Sequence, residues 1–143
     1  MGFISSASGN SIWSGYDYFT NNRVLSIKKI SKTEYEGIVE GTNQYQVKID
    51  IDHPRKSTCD CPYAKGKRIV CKHKMALYFK AFPKEAKRLM EESLEYEKEE
   101  ENRWETNVEE IRKEVFTLSK EELRKRLVDA LVTLEEIYLD RKY

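Results

Sequence analysis

An α+β fold follows from three features of this sequence. Three short runs alternate apolar and polar residues between Arg23 and Asp52, every cysteine falls within residues 59–71, and the apolar period becomes helical past Pro83. Alternation with period two marks strands with one buried face, while apolar residues at spacings of three and four mark packed helices. The expected order is a short antiparallel β-meander, a finger-like segment with a short helix, and a C-terminal helical arm or hairpin. Residues 1–83 form the first domain and residues 84–143 the arm.

The first twenty residues open with Ser, Gly and Asn and turn aromatic at Trp13, Tyr16, Tyr18 and Phe19, which reads as a loose start anchored by large rings. Strand-like runs follow at Arg23–Ile30, Thr33–Glu40 and Gln44–Asp52, the last placing Tyr45, Val47, Ile49 and Ile51 on one face. The links Ser31-Lys32 and Gly41-Thr42-Asn43 are short and rich in turn residues, so consecutive strands pair antiparallel. Past Pro83 an acidic stretch from Glu91 to Glu101 reads as an exposed helix. Trp104, Val108, Ile111, Val115 and Leu118 then form a helical seam. Ser119 with Glu122 makes a capping box that opens a second helix through Leu123, Leu127, Leu131, Leu134 and Tyr138. The seam is expected to pack on that second helix, with self-association through these helices as the other way to bury it.

Charge divides along the same line. Residues 1–83 carry 13 Lys+Arg against 7 Asp+Glu, and residues 84–143 carry 13 against 18, so the net +1 conceals a basic and an acidic part. No stretch approaches the ~18–20 apolar residues that span a bilayer, and the N-terminus lacks a basic start and an apolar signal core. A soluble, cytoplasmic protein without a membrane role is expected.

The densest chemistry lies in Cys59-Asp60-Cys61 and Cys71-Lys72-His73, separated by nine residues. On an extended strand, residues two apart point to the same side, so Cys59 and Cys61 can aim at one point. On a helix the same spacing turns the side chains about 200° apart. Cys71 should therefore precede a helix that holds His73 in its first turn, with Met75 to Phe79 as its apolar body and Pro83 beyond its end. Three thiolates and an imidazole form a closed tetrahedral set that suits Zn2+ rather than an oxygen-seeking cation. Such a set leaves no open coordination position, which favours a structural metal and a non-enzymatic protein. An odd cysteine count argues against a disulfide framework, and a Cys71–His73 nucleophilic pair lacks an orienting group. His53, beside Pro54, reads as a loop residue outside the set.

These residues resemble the SWIM zinc finger, whose motif is Cys-x-Cys, a variable gap, then Cys-x-His. The likeness extends to Cys61-Pro62-Tyr63, to Ala76-Leu77 after Cys71-Lys72-His73, and upstream to Gly15–Phe19 and Val39–Val47, which are similar to the family's short strands before the finger. It covers residues 13–82. The resemblance implies zinc at Cys59, Cys61, Cys71 and His73, and a role in binding DNA or other proteins. Family members occur beside Swi/Snf-type ATPases, in Mutator-type transposases and in ubiquitin-pathway proteins, but no ATPase or transposase segment is present here.

Arg55, Lys56, Lys65, Lys67, Arg68, Lys72, Lys74 and Lys80 cluster in and around the finger, with Asp60 the one acid from residue 55 to 80. They are the candidate contacts to the phosphates of DNA, read without strong sequence preference. The partner is then DNA or a DNA-associated protein. The competing reading is a non-catalytic adaptor that binds other proteins through the acidic C-terminal helices.

Overall fold

A computed structural model describes residues 2–142. By their contacts the residues divide into two compact units, Met1–Glu92 and Ser93–Tyr143. The sequence boundary at Pro83 marks instead the first residue of a helix that begins in the first unit.

The first unit begins with a 3-10 turn at Ile4–Ser6 and helix α1 (Gly9–Thr20), followed by strands β1 (Val24–Lys29), β2 (Glu34–Glu40), β3 (Gln44–Asp50) and β4 (Thr58–Cys59). The four strands form one antiparallel sheet in chain order. Helix α2 (Lys72–Ala81) follows the finger loop, and α3 (Pro83–Thr117) opens with proline, a residue whose missing N–H costs nothing in a first helical turn.

The three strands expected from alternation are present to within a residue or two at each end. In β3 the residues Tyr45, Val47 and Ile49 are buried and alternate with more exposed neighbours. That buried face lies under α2, which is covered on its other side by α1. Enclosure from both sides explains why six of ten α2 residues are buried, including one histidine and one lysine.

Two expectations need correction. The segment from Gly9 to Thr20, read as a loose start, is a regular helix whose N-cap Ser8 accepts a hydrogen bond from the Ser11 N–H. Gly15–Phe19 accordingly lies in a helix and not in a strand resembling those before the finger. The cause is tertiary. Ile12, Tyr16 and Phe19 recur at spacings of four and three and pack on the core, and Tyr16 and Phe19 both meet the Phe79 ring of α2. Gly15 sits at the closest approach of the two helices. A Cβ there would collide with Met75 Cβ and lie 2.9 Å from the Lys72 carbonyl oxygen.

The second correction concerns the arm. The second unit holds the distal part of α3 and α4 (Lys120–Asp140). The Ser119 and Glu122 capping box at the start of α4 forms as expected, with both reciprocal hydrogen bonds. The seam does not close, however. Trp104 is 68% exposed, Ile111 60%, Leu127 60% and Leu134 62%, and none of residues 93–142 is buried. Packing of the Trp104–Leu118 seam onto α4 within one chain does not occur. Charge supplies a reason: a closed antiparallel pair would set Glu135, Glu136 and Asp140 opposite the acidic Glu97–Glu101 stretch.

Candidate metal centre and basic face

Backbone geometry builds the metal site from two directions. Cys59 ends β4, which pairs with β3 through Val47↔Cys59 and Lys48↔Thr58. Asp60 then ties the chain to β3 twice, its carboxylate accepting from Gln46 N–H at 2.9 Å and its own N–H donating to the Gln46 carbonyl at 3.3 Å. Cys61 follows directly on this clamped residue. From the other side, Cys71 is the N-cap of α2 in extended geometry and His73 lies in the first turn. This is the arrangement that the two-residue spacings demand.

The four donor atoms lie within 4.8 Å of one another, and all four residues are buried. His73 turns Nδ1 toward the sulfurs, at 3.8 Å from Cys59 Sγ. The ring is held between Tyr45, at 4.7 Å between centroids, and the edge of Tyr18, at 5.4 Å. Its Nε2 is buried and has no hydrogen-bond partner among the described residues. An orphaned ring nitrogen costs about 1–3 kcal/mol. That cost is sustained where a cation on Nδ1 holds the ring in place.

The thiols report the same fit. Cys71 is drawn down, chiefly by the neighbouring Cys59 thiol and against the effect of burial, and further by His73 and the N-terminal end of α2. Cys59 is pushed up by the neighbouring Cys71 sulfur and by burial. Two sulfurs this close, competing for one proton at a helix N-terminus, are what a soft divalent cation resolves by binding both as thiolates. The residues present fit a structural zinc.

Lys74 is the residue that sequence reasoning placed wrongly. It was expected on the nucleic-acid-binding face, yet it is fully buried. Its Nζ donates to the Ser57 carbonyl at 2.9 Å and to the Ile69 carbonyl at 2.6 Å. Burial lowers its pKa, and the nearby Cys71, Cys59 and Cys61 pull the other way. Ser57 lies two residues before Cys59 and Ile69 two before Cys71, so one ammonium joins both ligand-bearing segments from the helix that carries His73. Nothing in the sequence separates this lysine from its exposed neighbours.

The other seven cations, Arg55, Lys56, Lys65, Lys67, Arg68, Lys72 and Lys80, are exposed. Arg55 and Arg68 line a common cleft of about 350 Å3 with Ser6, Ser8, Ser11 and Tyr63. Tyr63 is 62% exposed, with Lys67 Nζ 5.9 Å from its ring centre. Sequence reasoning did not single out this ring, although an exposed aromatic between basic residues is a recognisable pattern for base stacking. The Asp60 carboxylate is engaged by Gln46, as described above, so the one acid of the segment is already occupied.

Residues 45–82, the stretch that contains all four donors, match the SWIM zinc finger family. The first 44 residues and everything past residue 82 lie outside the match. No curated protein and no solved structure matches the chain. No described helix is long and apolar enough to cross a membrane.

Proposed function

We propose that this chain, built around a SWIM zinc finger, holds one structural Zn2+ on Cys59, Cys61, Cys71 and His73 and binds nucleic acid, in a non-catalytic role, through the basic surface of the finger. The observation that carries the reading is the set of seven exposed cations around the metal centre, two of which share a cleft beside an exposed tyrosine. Zinc would fix the end of β4 to the start of α2, and thereby the loop that carries Lys65, Lys67 and Arg68. Phosphate contacts from these side chains position a duplex or a single strand without reading bases. Tyr63 offers a stacking platform for an unpaired base.

Fluorescence anisotropy with labelled double- and single-stranded DNA tests this. Each phosphate contact should lower log affinity by about 0.9 per tenfold rise in salt on a duplex, so titrations between about 50 and 200 mM salt give the number of contacts. Arg55→Ala with Arg68→Ala should reduce that slope by about two contacts' worth. Absence of binding at low salt would reject the nucleic-acid reading in favour of the adaptor, for which the exposed apolar faces of α3 and α4 speak.

A further inference from the structure

The second unit has helices without a core. Thirteen large apolar side chains between Trp104 and Leu139 are at least 36% exposed, and no described residue past Ser93 is buried. At about 150–250 Å2 for a large ring and somewhat less for an aliphatic side chain, roughly half exposed, these residues offer on the order of 1,000–1,500 Å2 of apolar surface. A typical monomer shows a largest patch of roughly 300–600 Å2.

The distribution of these residues says how many neighbours each helix needs. On α3, Trp104, Val108, Ile111 and Val115 form one narrow stripe, continued by Leu118 just past its end and enough for a single partner helix, with the exposed Phe116 off to one side. On α4, Leu123, Leu127, Leu131, Leu134 and Tyr138 form one stripe, and Val128, Val132 and Leu139 form another beside it. At about 100° per residue the two together make an arc of roughly 200°, twice the width of an ordinary surface helix's apolar face. Such a helix is built to touch more than one neighbour, and its own chain supplies only α3.

Charge names the further neighbour. Residues 93–117 carry nine acids against four bases, whereas residues 120–126 carry four bases against two acids. Within the chain, the ion pair between Glu114 and Arg126 at 2.6 Å is the one contact between these two segments among the described salt bridges. The acids farthest from the link to α4, Glu95 to Glu105, have no basic stretch of their own chain to face, since an antiparallel closure would bring Glu135, Glu136 and Asp140 toward them. The basic start of α4 in another molecule is complementary to them. A two-fold arrangement satisfies both copies at once, since each gives its acidic α3 and receives the other's basic α4 start.

We infer that this chain is a homodimer, its α3 and α4 helices burying their apolar stripes against those of a second copy in a four-helix assembly, with the acidic half of each α3 facing the basic start of the partner's α4. The apolar area on each chain exceeds the roughly 800 Å2 per partner of a standard stable interface.

Sedimentation velocity of the full-length, metal-loaded chain across the micromolar to submillimolar range tests this, beside two variants. The native chain should sediment at twice the chain mass. Leu127→Glu with Leu134→Glu should raise the dimer dissociation constant by ~100-fold or more, while one metal ion per chain is retained, showing that the first unit is intact. Arg124→Glu with Lys125→Glu should weaken the dimer, and adding Glu100→Lys with Glu101→Lys should restore it. A native chain that stays monomeric throughout, or double-leucine variants that dimerise like the native chain, would overturn the proposal. Failure of the charge exchange to restore association would overturn the pairing of acidic α3 with the partner's basic α4 start.

Discussion

Cys71 and Lys74 stand three residues apart and make opposite claims on the same site. In the proposed zinc site Cys71 is a ligand, so Cys71→Ser removes one of four donors and with it most of a metal-binding energy that reaches about 10–16 kcal/mol in small structural zinc sites. Because that is comparable with the whole stability of an ordinary small domain, about 5–15 kcal/mol, the variant should lose both stoichiometric zinc and cooperative unfolding of the first unit. Metal analysis by mass spectrometry, paired with thermal circular dichroism, checks this, and a variant that keeps a full equivalent of zinc would remove the ligand assignment. Lys74 binds no metal. Replacing it with Met leaves the Ser57 and Ile69 carbonyls buried without their donor, at a cost of about 2–4 kcal/mol for the two. Urea denaturation of the zinc-loaded variant should show that loss, with weaker zinc retention against a competing chelator. The salt slope of DNA binding should stay as in the native chain, whereas Lys67→Ala should lower it. The four ligands were legible because their spacing alone dictates where strand and helix must lie. The burial of Lys74 was not, because a lysine that caps two carbonyls and one that faces water have the same letter and the same basic neighbours.

Helix α1 shows how a neighbour can settle what a local pattern leaves open. Its opening Ser-Gly-Asn-Ser composition favours turns, and the capping bond from Ser11 N–H to Ser8 contributes only about 1 kcal/mol. Stability comes from the face that meets α2, where Gly15 permits close approach. Gly15→Ala should therefore destabilise the first unit by about 1–3 kcal/mol despite the better helix propensity of alanine, because the new methyl meets Met75 and the backbone of α2. A rise in the urea midpoint would show that the helices can move apart freely. The strands, by contrast, were readable almost residue by residue: Tyr45, Val47 and Ile49 must share a face whatever covers it, and the Gly41-Thr42-Asn43 link leaves little choice of pairing. At the far end of the chain the Ser119 box was equally plain, since both of its hydrogen bonds are local. Ser119→Ala should cost α4 about 1 kcal/mol, seen as lost helicity at the urea midpoint. What the arm packs against was beyond the reach of periodicity, which reports that a stripe exists and not whether its own chain covers it.

Two units with such different surfaces imply different work. The first unit buries a hydrophobic core and presents cations around its finger; the second has no core and presents apolar stripes flanked by acids. If the arm joins two chains and the finger binds DNA as proposed, every particle carries two basic fingers, and the second engages at an effective concentration set by its tether rather than by the solution. Affinity for a long duplex should then exceed that of a single finger by ~10²-fold or more, provided both can engage at once. The native dimer and the Leu127→Glu, Leu134→Glu variant should therefore differ strongly on a long duplex. They should bind equally on a duplex so short that only one finger fits. Because the variant keeps its finger and its cations, equal short-duplex affinity is an internal check that the substitutions touched association alone. A native dimer that binds long and short duplexes alike would mean that only one finger of the pair reaches DNA, and the arm would then serve some purpose other than avidity.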